Sequence, residues 1–343
     1  MHPEQISILF NHPGQQAGPD DRDTLDQAIS VREALETLGY EPRELAADEN
    51  LPAFRKNLEK HRERLIFNLC DPPAGEGRFI SLFPLVLEQE GFTYTGCSAD
   101  ALYLTSHKLI AKRVMRRQGI PTAGWYEAGG GPEGSFSPGR YIIKSVWEHG
   151  SAGLTPGSVV EVSGRAELDE ILADAGPWVF AERFLPGREI NIALLANVKG
   201  AWEVLPPSEI IYNRRNEPSP FLDYKAKWEP DTDSYRHSLP SLQFAPGDTQ
   251  LLCSLSRIAL TCAGLFRLNG YARVDFRSDA DGQPQVLEVN ANPCISPGAG
   301  FSAAAAKAGL SFNELIARIV GAPMGLTQRS NTQEVKNGYP IRV

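Results

Sequence analysis

The stretch Tyr271-Ala-Arg-Val-Asp-Phe276, the turn Asp279-Ala-Asp-Gly282 and the run Gln285-Val-Leu-Glu-Val-Asn290 decide how the rest of the chain is read. Two alternating apolar and polar runs flank an Asp-Gly turn, the pattern of a β-hairpin. Side chains two apart in a strand share a face, so Val274, Phe276, Leu287 and Val289 are expected to point one way. Arg273 and Asp275 then share the opposite face of their strand, as Glu288 and Asn290 do on theirs. Mg²⁺ favours one or two carboxylates completed by phosphate oxygens and water. Asp275, Glu288 and Asn290 are therefore candidate metal ligands beside a bound nucleotide. A fixed Arg273 would stabilise negative charge on a reacting phosphoryl or acyl group. Taken alone, a hairpin whose polar face merely meets water explains the alternation equally well.

The composition sets the frame around that hairpin. With 343 residues, 42% of them apolar and 22% charged, the chain can bury a sizeable core and has room for two or three domains. A net charge of −8 and the lack of any Lys/Arg block argue against a nucleic-acid partner. Residues 1–10 lack a basic region and a long apolar run, and no apolar stretch is long enough to span a bilayer. A soluble, cytoplasmic protein that does not engage a membrane is expected. Cys70, Cys97, Cys253, Cys262 and Cys294 are scattered, odd in number and without a CxxC pair, which reads as reduced thiols.

Upstream, β-rich runs at 5–11, 40–46, 65–70 and 93–95 alternate with amphipathic stretches at 23–38, 51–61 and 79–89, the mark of a parallel α/β sheet. Helical stretches at 99–104 and 106–118 end at Gly119-Ile-Pro121. Strand candidates at 141–147, 159–162 and 178–184, a helix at 165–173 and a Gly/Pro-rich lead-in at 129–139 describe a small α+β unit. Strands at 189–196 and 200–205 precede a polar, proline-rich segment, 206–240, too long for an ordinary connection. A helix at 247–263, the hairpin and an Ala-rich helix at 302–320 follow, and the tail after Met324 is expected to be poorly ordered.

The order Arg-x-Asp, Glu-x-Asn, Ala291-Asn-Pro293 and an Ala-rich helix resembles the C-terminal core of the D-alanine–D-alanine ligases of the ATP-grasp superfamily. Other motifs follow in the family's order. Lys108, in Ser106-His-Lys-Leu-Ile-Ala-Lys112, resembles its first ATP-phosphate lysine; read alone it belongs to a basic helix surface with Lys112, Arg113, Arg116 and Arg117. Lys144, in the apolar run Tyr141-Ile-Ile-Lys-Ser-Val-Trp147, resembles the second, and burial would cost a cation there unless it met an anion. Glu148-His-Gly-Ser-Ala-Gly153 resembles the Gly-Ser loop over the phosphates, with Gly150 and Ser151 as contacts. Glu182, Arg183, Phe184 and Leu185 resemble the adenine edge, and Glu189 the acceptor for ribose hydroxyls, unless it pairs with Arg183 or Arg188. Tyr224 and Lys227, in Phe221-Leu-Asp-Tyr-Lys-Ala-Lys227, resemble the loop that closes on the γ-phosphate. Glu76, in Gly75-Glu-Gly77, resembles a group that positions substrate.

The resemblance implies a parallel α/β domain over 1–120, two α+β subdomains over 121–186 and 187–325 that clasp ATP, and a polar tail over 326–343. It implies an ATP-dependent ligase that joins a carboxylate, of an amino acid or peptide, to an amine through an acyl phosphate. ATP and two Mg²⁺ ions, or Mn²⁺ in their place, would be required. Arg273, Lys227, Tyr224 and Ser151 would serve the chemistry, and Gly298 would offer a backbone N–H to the oxyanion. A homodimer is also implied. True D-alanine–D-alanine ligation and a nucleotide-binding module without turnover are the alternatives. The stretch from Phe10 to Asp20 departs from the family's glycine-rich loop and lacks its ammonium-binding glutamate. Asp21, Asp23 and Asp26 follow, where an acidic helix N-terminus explains them equally well. Pro293 to Phe301 also departs from the family's second-substrate loop.

Overall fold

A computed structural model describes residues 4–12, 18–61, 65–128, 136–213 and 220–322, with only the backbone of Asp20 and Asp21. The tail and most of the 129–139 lead-in lie outside these residues. The chain opens with β1 (Gln5–Phe10), α1 (Pro19–Thr37), β2 (Glu41–Ala46), α2 (Leu51–Leu58) and β3 (Leu65–Asn68). The strands form a parallel sheet in the order β2-β1-β3, with α1 and α2 as the crossovers that parallel pairing requires. β1 is buried along all but its first residue, as a parallel strand covered on both faces must be. The expected strand at 93–95 reduces to one bridge between Ile66 and Tyr94.

Helices α3 (Leu82–Gln89), α4 (Ala99–Ser106) and α5 (Lys108–Arg117) follow. The two last are separated at His107, whose extended backbone breaks the helix and whose Nδ1 accepts from the N–H of Ile110, 3.3 Å away, to cap α5. A second sheet, antiparallel in the order β4-β7-β5-β6, is built from β4 (Trp125–Tyr126), β5 (Gly139–Ser145), β6 (Val159–Val162) and β7 (Val179–Arg183), with α6 (Arg165–Ala175) packed on it. The two-residue β4 carries no period for the sequence to reveal.

The third sheet comprises β8 (Glu189–Ala196), β9 (Trp202–Val204), β10 (Ser208–Tyr212), β11 (Ser238–Ser241), β12 (Tyr271–Ser278) and β13 (Pro284–Asn290). Its order is β11-β10-β8-β12-β13, with β9 also on β8. The 206–240 segment is thus not one long loop: it holds two strands and the short helices α7 (Tyr224–Trp228) and α8 (Asp233–Arg236). Ile210, Ile211 and Tyr212 are strong strand formers, and Pro240 sits on the edge strand, where proline is tolerated. After α9 (Thr249–Leu265), the Ala-rich segment divides into α10 (Gly300–Lys307) and α11 (Phe312–Gly321). Gly309, at φ 91°, ends the first. Ser311 and Glu314 start the second by reciprocal capping bonds of 3.3 and 2.7 Å.

Alternation along β8 and β12 explains where a cleft can form. Ile190, Ile192, Leu194, Ala272, Val274 and Phe276 face a core shared with α4, α5 and α9. On the other face, Ala193, Leu195 and Tyr271 pack against β1, α1, α10 and α11. Farther along that same face the residues become Asn191, Glu189, Arg273, Asp275 and Arg277, and these border the cleft. One assignment within the hairpin is corrected. The register shifts between Asp275 and Phe276, which pairs with Val286 rather than Leu287. This β-bulge puts Val286 into the core and leaves Leu287 on the cleft.

Candidate active site

The cleft holds about 1140 Å³, enough for a nucleotide with a second ligand, since single-ligand pockets run ~300–1,000 Å³. Its floor is the polar end of the third sheet. Asp275 lies opposite Glu288 on one side and Asn191 on the other, and Arg273 opposite Asn290. Arg273 donates from Nε and Nη2 to the two oxygens of Asp275, each at 2.7 Å. Burial alone would lower the guanidinium's pKa, but Asp275 and Glu288 raise it, so the cation persists. Burial would raise Glu288, yet His149, Lys108 and Arg273 hold it well below the usual carboxylate range.

The roof comes from the second sheet and α5. Lys108 is buried and donates to the carbonyl of Glu148. Burial lowers its pKa, opposed by Glu288, and an anion arriving beside it would favour the charged form. On β5 and β7, Lys144 and Glu182 project into the same space and bond directly. Lys112, expected on a solvated helix face, is instead 1% exposed and bonds the other oxygen of Glu182, the Thr122 hydroxyl at 2.8 Å and the Ala123 carbonyl at 3.1 Å. Burial would raise Glu182, but the two lysines outweigh it and keep the carboxylate ionised. The signal that marks Lys112 is its spacing, since residues four apart share a helix face.

Two loops meet over the cleft. Gly150 and Ser151 both adopt left-handed backbone, at φ 65° and 66°. The Ser151 hydroxyl donates to the Leu222 carbonyl at 2.5 Å, and Trp228 Nε1 donates to the Gly150 carbonyl at 2.9 Å. Asp223 caps α7 by accepting from Ala226 N at 2.7 Å, which aims Lys227 back at the cleft. Burial, then the neighbouring Arg273, depress the Lys227 ammonium. Tyr224 heads the same helix but is not among the residues bordering the cleft.

At the nucleotide edge, Phe184, Leu185 and Glu189 border the cleft. Arg183 borders it too, but its guanidinium is taken up by the carbonyls of Ser137 and Pro138, 3.0 Å away. Glu189 pairs with neither Arg183 nor Arg188: its Oε2 accepts from Tyr212 Oη at 2.6 Å and Arg277 Nη1 at 3.3 Å. Arg188 instead binds Glu209 and Asp248. Glu76 is half exposed, pairs with Arg78 and lies outside the cleft lining. Near Gly77 it is Glu148 that accepts a backbone N–H, at 3.3 Å.

The far end of the cleft is formed by α1 and the segment after β13. Pro19, Arg22, Asp23 and Asp26 fall on one helical face and border it. Cys294 Sγ donates to Asp23 Oδ2 at 3.0 Å, and the Gln27 side chain accepts from Ile295 N at 2.5 Å. Burial, reinforced by Asp23, pushes the Cys294 thiol up to about 12. Gly298, at φ 87°, also borders this end. Among the described residues no three His, Cys, Asp or Glu side chains gather at metal-ligand spacing. An ion held by Glu288, Asn290 and Asp275 would therefore draw further donors from phosphate and water.

Comparison with known proteins fits this arrangement. Residues 141–321 match the family model described as the C-terminus of D-Ala–D-Ala ligase. The D-alanine–D-alanine ligase of Synechococcus sp. (strain JA-3-3Ab) is 31% identical over 296 residues, covering 85% of this chain and 86% of that protein. That of Desulfovibrio desulfuricans is 30% identical over 308 residues, covering 88% and 92%. The crystal structure of the Bacillus anthracis D-alanine–D-alanine ligase complexed with ATP superposes with a TM-score of 0.70 at 18% identity, over 96% of this chain and 99% of that one, a likeness of fold. From the matched segment and from relatives aligned along most of both lengths, the chain belongs to the D-alanine–D-alanine ligase family.

Proposed function

We propose that this ATP-dependent carboxylate–amine ligase joins the carboxylate of an amino acid or short peptide to an amine, releasing ADP and phosphate. The observation that carries the reading is the gathering of Lys108, Lys144, Lys227 and Arg273 around Glu288, Asn290 and Asp275 in one cleft. Lys144 and Arg273 are paired there with Glu182 and Asp275, and four cations converging at one end of the cleft suit a polyanion such as a triphosphate. The names of the relatives favour D-alanine as both acid and amine.

In this reading Phe184 and Leu185 would meet the base and Glu189 would accept from ribose hydroxyls. Lys108 and Lys144 neutralise the inner phosphates, and Lys227 meets the transferring one. Glu288, Asn290 and Asp275 suit Mg²⁺ by donor type and by their adjacent register positions, and the ion when bound would offset phosphate charge. The acid's carboxylate oxygen attacks the γ-phosphorus, the bond to ADP breaks, and the acyl phosphate forms under the joined loops. Excluding water there protects it from hydrolysis. The amine then adds to the acyl carbon, Arg273 and the Gly298 N–H stabilise the oxyanion, and phosphate leaves. The carboxylates of Asp23 and Asp26 suit an ammonium group at the far end.

ADP release with Mg²⁺, ATP and a panel of D- and L-amino acids and dipeptides tests this, with Glu288→Gln as control. Substrate-dependent release with a matching amide is the expected result. Release that ignores every amine, or that survives in Glu288→Gln, would refute it.

A further inference from the structure

We propose that Arg277 is a positioning residue of the nucleotide site: it holds one oxygen of Glu189 so that the other is presented to the ribose hydroxyls, and it thereby sets a preference for ribose over deoxyribose. The inference rests on the nucleotide reading above, with Glu189 at the ribose, and assigns a residue that none of the sequence motifs contains.

Arg277 lies directly opposite Glu189 across β12 and β8, and both border the cleft. Its Nη1 donates to Glu189 Oε2 at 3.3 Å, the same oxygen that accepts from Tyr212 Oη at 2.6 Å. Oε1 has no donor among the described residues. A carboxylate oxygen has room for about two bonds, so Oε2 is filled and Oε1 is left for a ligand. The guanidinium is itself held. Its Nη2 donates to the Pro220 carbonyl at 2.5 Å, and its carbon lies over the Phe184 ring at 5.0 Å and the Tyr212 ring at 5.6 Å. The backbone beside the pair is pinned as well: Gly187 N donates to the Ser278 carbonyl and Ser278 N to the Arg188 carbonyl, each at 2.9 Å. A Cβ on Gly187 would stand 2.7 Å from Ser278, so glycine is what lets the turn before β8 come that close.

Strand pairing alone does not call for this ion pair. β8 and β12 are already in register over seven residues, and the two side chains are only 6% and 12% exposed. Arg277 Nε is buried with no partner among the described residues. Desolvating a cation and leaving one of its donors unpaired is unfavourable, and a buried ion pair returns little stability in exchange. What the guanidinium does supply is a fixed, charge-compensated carboxylate on the cleft wall. Without it Glu189 would keep only the neutral Tyr212 donor, and a stranded buried carboxylate takes up a proton or turns away. Either change removes the acceptor from where the ribose needs it, while Phe184 and Leu185 still meet the base and the lysines still meet the phosphates. Loss of Arg277 should therefore fall on recognition of the ribose hydroxyls.

The test is titration calorimetry of the full chain with Mg²⁺ and ADP, 2′-deoxy-ADP or 3′-deoxy-ADP. The native chain should prefer ADP over at least one deoxy form by about tenfold, as a hydrogen bond to a charged group allows. In Arg277→Met that preference should fall below about threefold, chiefly through weaker ADP binding, and Arg277→Lys, which keeps a cation beside Glu189, should restore it. Circular dichroism checks folding; if the methionine variant does not fold, Arg277→Gln, which also removes the charge, carries the same expectation. Equal losses for ADP and the deoxy forms, or an unchanged preference, would mean that Arg277 only braces the strands; either would overturn the assignment and leave the ligase reading standing. A native chain that binds all three alike would overturn the assignment together with the place of Glu189. No binding of ADP at all would overturn the nucleotide reading as well.

Discussion

Replacing Lys112 by methionine keeps the side-chain length and removes the charge. Its Nζ meets Glu182, the Thr122 hydroxyl and the Ala123 carbonyl, with side chains only 1% and 2% exposed in the ion pair. Breaking a buried pair from one side costs ~3–5 kcal/mol, mostly because the remaining charge is stranded. Glu182 keeps Lys144 on its other oxygen, so the lower end, about 3 kcal/mol, is expected. Glu182→Gln alone strands the buried Lys112, whereas in the Lys112→Met background it strands only Lys144, which is 15% exposed, so the double variant should lose about 2 kcal/mol less than the sum of the singles, a coupling well above the ~0.5 kcal/mol of independent sites. Urea unfolding of the four proteins measures this, with tryptophan fluorescence and circular dichroism followed together so that a two-state analysis is justified where they coincide. Trp125, 5.6 Å from Lys112 Nζ, reports on the locus. Additive losses in the double variant would refute the reasoning.

Three further outcomes follow from the same geometry. With its thiol pushed up to about 12, Cys294 is only ~10⁻⁴ thiolate at pH 8, against roughly a quarter for an ordinary cysteine. Iodoacetamide should therefore label the exposed Cys253 and spare Cys294; Asp23→Asn lowers the Cys294 pKa and should speed its labelling, as mass spectrometry of the peptides would show. Glu288 has a depressed folded pKa, so its stabilisation is complete above the unfolded value near ~4.3 and is lost as pH falls towards the folded one. The stability gap between the native chain and Glu288→Gln should accordingly shrink between about pH 5 and pH 2 in urea titrations, and a gap independent of pH would contradict this. Ser151→Ala removes one of the two bonds joining the loops and leaves that of Trp228 to Gly150, and substrate-independent ATP hydrolysis should rise relative to amide formation as water enters; an unchanged ratio would mean the loops close without it.

Much of the fold is written in the sequence because its period is. The hairpin carrying Arg273, Asp275, Glu288 and Asn290 alternates cleanly, and the parallel strand Gln5–Phe10 holds the apolar run Ile8–Phe10 with Ile6 before it. The bulge at Phe276 is invisible by the same logic, since shifting one strand by a residue leaves an equally good alternation with Leu287 in place of Val286. Ser208–Tyr212 was hidden among polar and proline residues whose effect on the chain is local, while the strand is fixed by its neighbours Glu189–Ala196 and Ser238–Ser241. In the cleft, motif order brings out Lys108, Lys144, Lys227 and Glu189, which do converge. Asn191, Arg277 and Lys112 enter through strand register and helix spacing.

The central claim is transfer of phosphate to a carboxylate oxygen. An acid that supports ADP release, D-alanine first, would be supplied with ¹⁸O in its carboxylate, and the phosphate released during amide formation analysed by mass spectrometry. One ¹⁸O per phosphate for each amide formed is the predicted result, because the oxygen that attacks the γ-phosphorus departs with it. Phosphate free of ¹⁸O, with amide still formed, would contradict the acyl-phosphate route and the reading of the cleft built on it.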